Sequence, residues 1–268
     1  MNKYGGLLIH QSYDEQGLIE VIDTKGIRSL HFGNDAQQSS VQLSHPYQLY
    51  LRYTQTLMSW LLFKPIINDV LMIGLGGGTL ANYFLYHFDD CNVKVVEYRP
   101  NVLKIARSHF GLPLKESRLK TLIADGSDYL RKQSTHDEGR YPLMIIDAFD
   151  SQGMSDAVTH SAFFDHCKSA LNQEGLLVIN LWKTDKALYE KISWDLQQVF
   201  HERVLFLPVE GRDNVIAFAF NDGFQPLNFK SLIKQTYQLQ QSHFLDFPLY
   251  LKKLKTNNPT TFKKIVLS

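Results

Sequence analysis

The chain has 268 residues, 44% of them hydrophobic, which supplies a core for one large domain or a domain with a small appendage and excludes a disordered chain. Lys and Arg number 28 against 27 Asp and Glu, a formal charge of +1, which excludes a nucleic-acid protein relying on a broad basic face. The longest dense apolar run, Leu57 to Phe63, is interrupted by Ser59 and is far short of the ~20 residues of a membrane span.

The opening segment reads as β structure. Leu7-Leu8-Ile9, Leu18 to Ile22 and Ile27 to Phe32 are short β-prone runs, separated by the turn-like Asp14-Glu15-Gln16-Gly17 and Asp23-Thr24-Lys25-Gly26. This predicts a small antiparallel unit. His45 to Phe63 then predicts a helix, with apolar residues recurring at Tyr50, Tyr53, Leu57, Trp60 and Leu61. Tyr47, Tyr50 and Tyr53 fall near one another on it, for the core first and for a cleft lining second. Residues 1–65 are thus expected to form a small N-terminal β domain with a linking helix.

From Asn68 onward strands alternate with helices. Val70 to Ile73, Val93 to Val96, Leu119 to Ile123, Leu143 to Ile146 and Leu176 to Ile179 read as strands. Thr79 to Phe88, a segment opening at Pro100, Ala162 to Leu171 and Asp185 to Phe200 read as helices. Val204 to Leu207 and Val215 to Phe220 predict a terminal hairpin. The alternation predicts an α/β fold with a doubly wound, mostly parallel sheet over residues 66–268. Phe224 to Ser268 is a polar-aromatic tail with helices near Leu232 and Leu249.

Three places carry chemistry. Ile73-Gly74-Leu75-Gly76-Gly77-Gly78-Thr79 sets glycines between a strand and a helix, where the backbone must approach a ligand closely. Glu97 ends the next strand, 19 residues after Gly78, the place from which a carboxylate meets ribose hydroxyls. Gly74 and Gly76 fit a dinucleotide fingerprint, but its third glycine is missing, so a nucleoside without a pyrophosphate fits better. Asp125-Gly126 follows the third strand. Asp125 has two readings that one residue could fill together, a contact to an adenine amine and a helix cap. Asp147 and Asp150 follow the fourth strand, where open α/β sheets bind ligands, and two acids there favour a cationic substrate.

Cys91 and Cys167 match no metal or redox spacing and read as buried thiols. His10, His45 and His160 are isolated and read as structural. No metal site is expected. The N-terminus starts no signal peptide, so the expectation is a soluble, cytoplasmic protein without nucleic-acid or membrane partners.

Over Val70 to Leu181 the chain resembles the spermidine synthase (polyamine aminopropyltransferase) family, in Ile73-Gly74-Leu75-Gly76-Gly77-Gly78, Val96-Glu97, Ala124-Asp125-Gly126 and Ile146-Asp147-Ala148-Phe149-Asp150. The resemblance implies a class I methyltransferase-type Rossmann-like domain behind the β unit, and a homodimer. It implies ribose binding by Glu97, an adenine contact from Asp125 and activation of a small-molecule amine by Asp147. No prosthetic group is implied; decarboxylated S-adenosylmethionine, or S-adenosylmethionine itself, would be the co-substrate. The chain departs from the family where Gly77 stands for an aspartate of the glycine turn and Ser151 for a proline. It departs again where His45-Pro46-Tyr47-Gln48-Leu49-Tyr50 stands near an absent acidic segment, and where Val209-Glu210 replaces a Tyr-Pro pair of the amine pocket. The pattern suits a divergent, spermidine-synthase-like branch. Aminopropyl transfer to an amine such as putrescine is therefore expected. A methyltransferase and a non-catalytic nucleoside-binding homologue are the alternatives.

Overall fold

The computed structural model describes residues 2–133, 139–149, 153 and 159–267. Five antiparallel strands in chain order form the N-terminal sheet: β1 (Asn2–Lys3), β2 (Gly6–Asp14), β3 (Gly17–Thr24), β4 (Ile27–His31) and β5 (Ser39–Gln42). Both turn-like segments are hairpin turns, closing at Asp14–Gly17 and Thr24–Ile27. The sheet buries Ile19, Val21, Leu30, Phe32 and Val41 against Val102, Ile105 and Phe110 of the next unit.

The helix expected over His45 to Phe63 is shorter. Only α1 (Arg52–Leu57) is α-helical, tightening into a 3-10 turn over Met58–Leu62. His45 to Leu51 is irregular, with a turn in which Gln48 N donates to His45 O. Pro46 disfavours helix at His45 and has no N–H to give.

The elements that follow are β6 (Asp69–Ile73), α2 (Thr79–His87), β7 (Asn92–Glu97), α3 (Pro100–His109), β8 (Leu119–Ile123), α4 (Gly126–Gln133), β9 (Tyr141–Ile146), α5 (Ser161–Ala170), β10 (Leu171–Trp182), α6 (Lys186–Val199), β11 (Val204–Pro208) and β12 (Asn214–Phe220). Their strands build one seven-stranded sheet in the order β11-β12-β10-β9-β6-β7-β8. The five strands from β10 to β8 are parallel, while β12 runs antiparallel to both β10 and β11. Every residue of β9 is buried, as a strand covered on both faces requires. The tail adds β13 (Leu227–Asn228), α7 (Phe229–His243), α8 (Phe247–Asn257), α9 (Phe262–Ile265) and β14 (Val266–Leu267). Leu232, Leu239, Phe247, Leu251 and Leu254 of the tail join the main core. Cys91 and Cys167 are free and buried. Among the described residues no helix is long and apolar enough to cross a membrane.

The winding direction reverses between β6 and β9, and the two chains leave the sheet there in opposite directions. Gly74, directly after β6, has φ +96°, and a Cβ on it would overlap the backbone carbonyl of Asp147, directly after β9. Only glycine meets both demands. Gly111 also has a positive φ, +73°, but faces open space. Gly74→Ala is therefore expected to cost at least about 2 kcal/mol and Gly111→Ala only about 1 kcal/mol. Urea unfolding of the two variants checks the order; equal costs would contradict a close approach at Gly74.

Candidate active site

A cavity of about 1150 Å³ opens over the carboxyl ends of the parallel strands. It runs from Glu97 and Asp125 on the β7 and β8 side, across the reversal, to Asn180, Arg212 and Asn214 on the β10 and β12 side. The glycine turn forms its floor, with Gly76 on the cavity wall and Gly78 closing the turn by donating N–H to Leu75 O before α2.

Glu97 is buried, 7% exposed. Its Oε2 accepts from Leu75 N at 2.9 Å and its Oε1 from Arg99 N at 2.7 Å. Burial pushes its pKa up, and the two amides pull part of the way back. Each oxygen keeps a second lone pair, so the backbone fixes the carboxylate without exhausting it. Asp125 Oδ1 accepts from Asp128 N at 2.8 Å, so the capping role is real, and the same residue lines the cavity. Gly126 packs flat on Ile73, leaving no room for a side chain.

Asp147 stands on the other side of Gly74. Its Oδ1 accepts from Asn180 Nδ2 at 2.9 Å, and Asn180 Oδ1 accepts in turn from Asn214 Nδ2 at 3.0 Å. The Tyr53 hydroxyl lies 3.3 Å from Asp147 Oδ2 and 3.1 Å from Gln38 O, so its single proton serves one at a time. Burial pushes the Asp147 carboxyl up to about 6, against the downward pull of the Asn180 and Tyr53 donors. Burial also raises the Tyr53 phenol well above its ordinary value, which keeps it protonated as a donor. Asp150 lies outside the described residues.

Gly77 explains one departure in physical terms. A Cβ there would come within 2.8 Å of Phe110 Cδ1 and 2.8 Å of Ser39 Oγ. Ser39 Oγ also lies 3.3 Å from Thr79 Oγ1. An aromatic ring and a hydroxyl thus fill the space next to the turn, and an acid has no room at this position.

Three further residues shape the site. Asn180 is a single polar break in the apolar run of β10, and Asn214 opens β12 next to the polar loop. Arg99, 7% exposed, pairs with Asp14 through Nη2 at 2.7 Å and Nε at 3.1 Å, and its guanidinium lies 4.5 Å from the Phe32 ring centre. It ties the β2–β3 hairpin down beside Glu97.

The spermine/spermidine synthase domain matches residues 51–208 of this chain. The chain belongs to the spermine/spermidine synthase family. It is 35% identical over 246 residues to a polyamine aminopropyltransferase of Neisseria meningitidis, covering 91% of this chain and 92% of that one. A spermidine synthase solved with the transition state analogue AdoDATO superposes with a TM-score of 0.72 at 18% identity, covering 96% of this chain and 87% of that one, a likeness of fold. Human methyltransferase-like protein 13, solved with SAH, superposes with a TM-score of 0.65 at 26% identity, covering 73% of this chain and 93% of that one. The spermine/spermidine synthase match spans the glycine turn, Glu97, Asp125, Asp147 and Asn180, and it stops before the β11–β12 loop.

Asp147 makes the site costly to the fold. Its folded pKa stands above the unfolded value, so ionisation works against folding: the penalty is absent below about pH 4, grows through about pH 6 and is complete above it. Asp147→Asn is expected to gain on the order of 2 kcal/mol above pH 7 and nothing near pH 4. Thermal melts at both pH values test this; a gain independent of pH would contradict it.

Proposed function

We propose that the chain is an aminopropyltransferase of polyamine synthesis that moves an aminopropyl group from decarboxylated S-adenosylmethionine to an amine. The observation that carries this reading is Asp147: a desolvated carboxylate, raised to about 6, held by Asn180 and Tyr53 across the reversal from Glu97. In this reading the donor's ribose hydroxyls take the free lone pairs of Glu97, its adenine amine meets Asp125, and Gly74, Gly76, Gly77, Gly78 and Gly126 let the backbone approach it. Asp150 would join Asp147 at the amine.

The reaction needs a neutral amine. Its nitrogen lone pair forms a bond to the propyl carbon, the carbon–sulfur bond breaks, and that electron pair neutralises the sulfonium as methylthioadenosine leaves. A free alkyl ammonium has a pKa near ~10, so a carboxylate of ordinary acidity is a poor proton acceptor. The upward shift of Asp147 narrows that gap by about 2 pK units, roughly 3 kcal/mol. Tyr53 and Asn180 leave the carboxylate one orientation, which adds the advantage of alignment. No prosthetic group is needed. The reading treats residues 1–65 as a small domain covering the donor and residues 66–268 as the nucleoside-binding domain with its tail. A cytoplasmic homodimer is the assembly it implies.

The methyltransferase alternative draws on Gly77, where no acid opposes a donor's carboxylate. Purified protein with decarboxylated S-adenosylmethionine and a panel of amines is expected to release methylthioadenosine. Turnover only with S-adenosylmethionine, yielding S-adenosylhomocysteine, would replace the reading. Asp147→Asn is expected to lower kcat at least ~100-fold. In the wild type, kcat/KM should rise with pH through an acid limb near 6. Glu97→Gln should instead weaken donor binding about tenfold or more, measured by calorimetry with methylthioadenosine.

A further inference from the structure

The β10 and β12 end of the cavity differs in charge from its middle. In register, Ile179 pairs Ile146, so Asn180 stands beside Asp147, and Trp182 pairs Asn214 across the next strand. The loop following β11 thus lies about two strand spacings from Asp147, roughly 10 Å. Gly211, Arg212 and Asp213 of that loop line the cavity, and so does Arg52 of α1.

Three observations fix the polarity of this end. Arg52 Nη1 donates to the carbonyl oxygen of Glu210 at 3.3 Å, which holds its guanidinium over the loop. Of the two acids of the loop, Glu210 is turned away: its Oε2 pairs with Lys253 Nζ at 3.0 Å, and it does not line the cavity, whereas Asp213 does. The Arg212 side chain has no hydrogen bond or ion pair with any described residue. Two guanidiniums therefore face this end of the cavity, with Asp213 next to them. A bare diamine reaching from Asp147 would set its far ammonium beside Asp213 and leave the two guanidiniums without an anion. A carboxylate there would meet two guanidinium forks, the geometry that binds it best, while an adjacent ammonium would meet Asp213.

We infer that the acceptor is a diamino acid, an amine that also carries an α-carboxylate, with Arg52 and Arg212 binding the carboxylate and Asp213 the α-ammonium. The inference rests on the proposed aminopropyl transfer for its chemistry: the side-chain amine lies at Asp147, its lone pair forms the bond to the propyl carbon as the carbon–sulfur bond breaks, its proton passes to the Asp147 carboxylate, and methylthioadenosine leaves.

Ornithine and putrescine differ by a single carboxylate and separate the two acceptor classes. Calorimetry on the full chain saturated with methylthioadenosine reads acceptor preference without turnover. Ornithine is expected to bind at least tenfold more tightly than putrescine, and Arg52→Gln with Arg212→Gln is expected to remove that preference. Equal or tighter binding of putrescine overturns the inference, as does a preference for ornithine that survives the double substitution. A parallel assay with decarboxylated S-adenosylmethionine measures aminopropylated product by mass spectrometry. Product from ornithine in excess of product from putrescine supports the inference, and the reverse overturns it. Failure of both acceptors to release methylthioadenosine sinks the transfer reading alone, and the calorimetric result still decides which acceptor class the site holds.

Discussion

The approach of Gly74 to the Asp147 carbonyl is the constraint on which the rest of the site depends. Gly74 N donates to Val96 O and Asp147 N donates to Ile73 O, so both chains stay tied to the sheet as they leave it. With no side chain at Gly74, the ends of β6 and β9 come together at the point where the strand order reverses. Open α/β sheets form their crevice at such a point. Here the crossing also divides the crevice. Glu97 lies on one side with its oxygens held by backbone amides, and Asp147 lies on the other with its oxygens held by side chains. Burial raises both carboxyls, against the downward pull of backbone amides on Glu97 and of the Asn180 and Tyr53 side chains on Asp147, which stands at about 6.

The N-terminal sheet supplies the wall above this floor. Arg99 holds the β2–β3 hairpin to the end of β7 through Asp14, and Ser39 at the start of β5 reaches the glycine turn. The Tyr53 hydroxyl lies between Gln38 O of this wall and Asp147 Oδ2 and can donate to either. Packing and chemistry are coupled here. The Phe110 ring that helps bury the N-terminal sheet also occupies the space in which an acid at Gly77 would sit. The wall directly beside Gly77 is consequently uncharged.

Much of this was legible in the residues. The apolar runs of β6, β7 and β9 and the turn residues of the N-terminal hairpins specify their elements locally, and the glycines, Glu97, Asp125 and Asp147 stand at strand ends where ligands bind. The helix over His45 to Leu51 was misread because the spacing of its tyrosines matched a helix while Pro46 opposed one. Asp125 offers an adenine contact and a helix cap that one residue could fill together; it caps α4 and lines the cavity. Other features depend on contacts far apart in the chain. Arg99 and Asp14 are 85 residues apart, and Asn214, Asn180 and Asp147 come from three different strands or their ends. A lone asparagine in an apolar strand carries no sign of which carboxylate it will meet. Gly77 was visible as a missing acid, but the ring that excludes the acid was not.

The crossing leaves Asp147 as a desolvated carboxylate that lines the cavity. Carbon-13 NMR titration of the aspartate carboxyls, with the Asp147 signal assigned by its loss in Asp147→Asn, reads that property directly. The expected midpoint lies near 6. A midpoint in the ordinary aspartate range, near ~4, would contradict it.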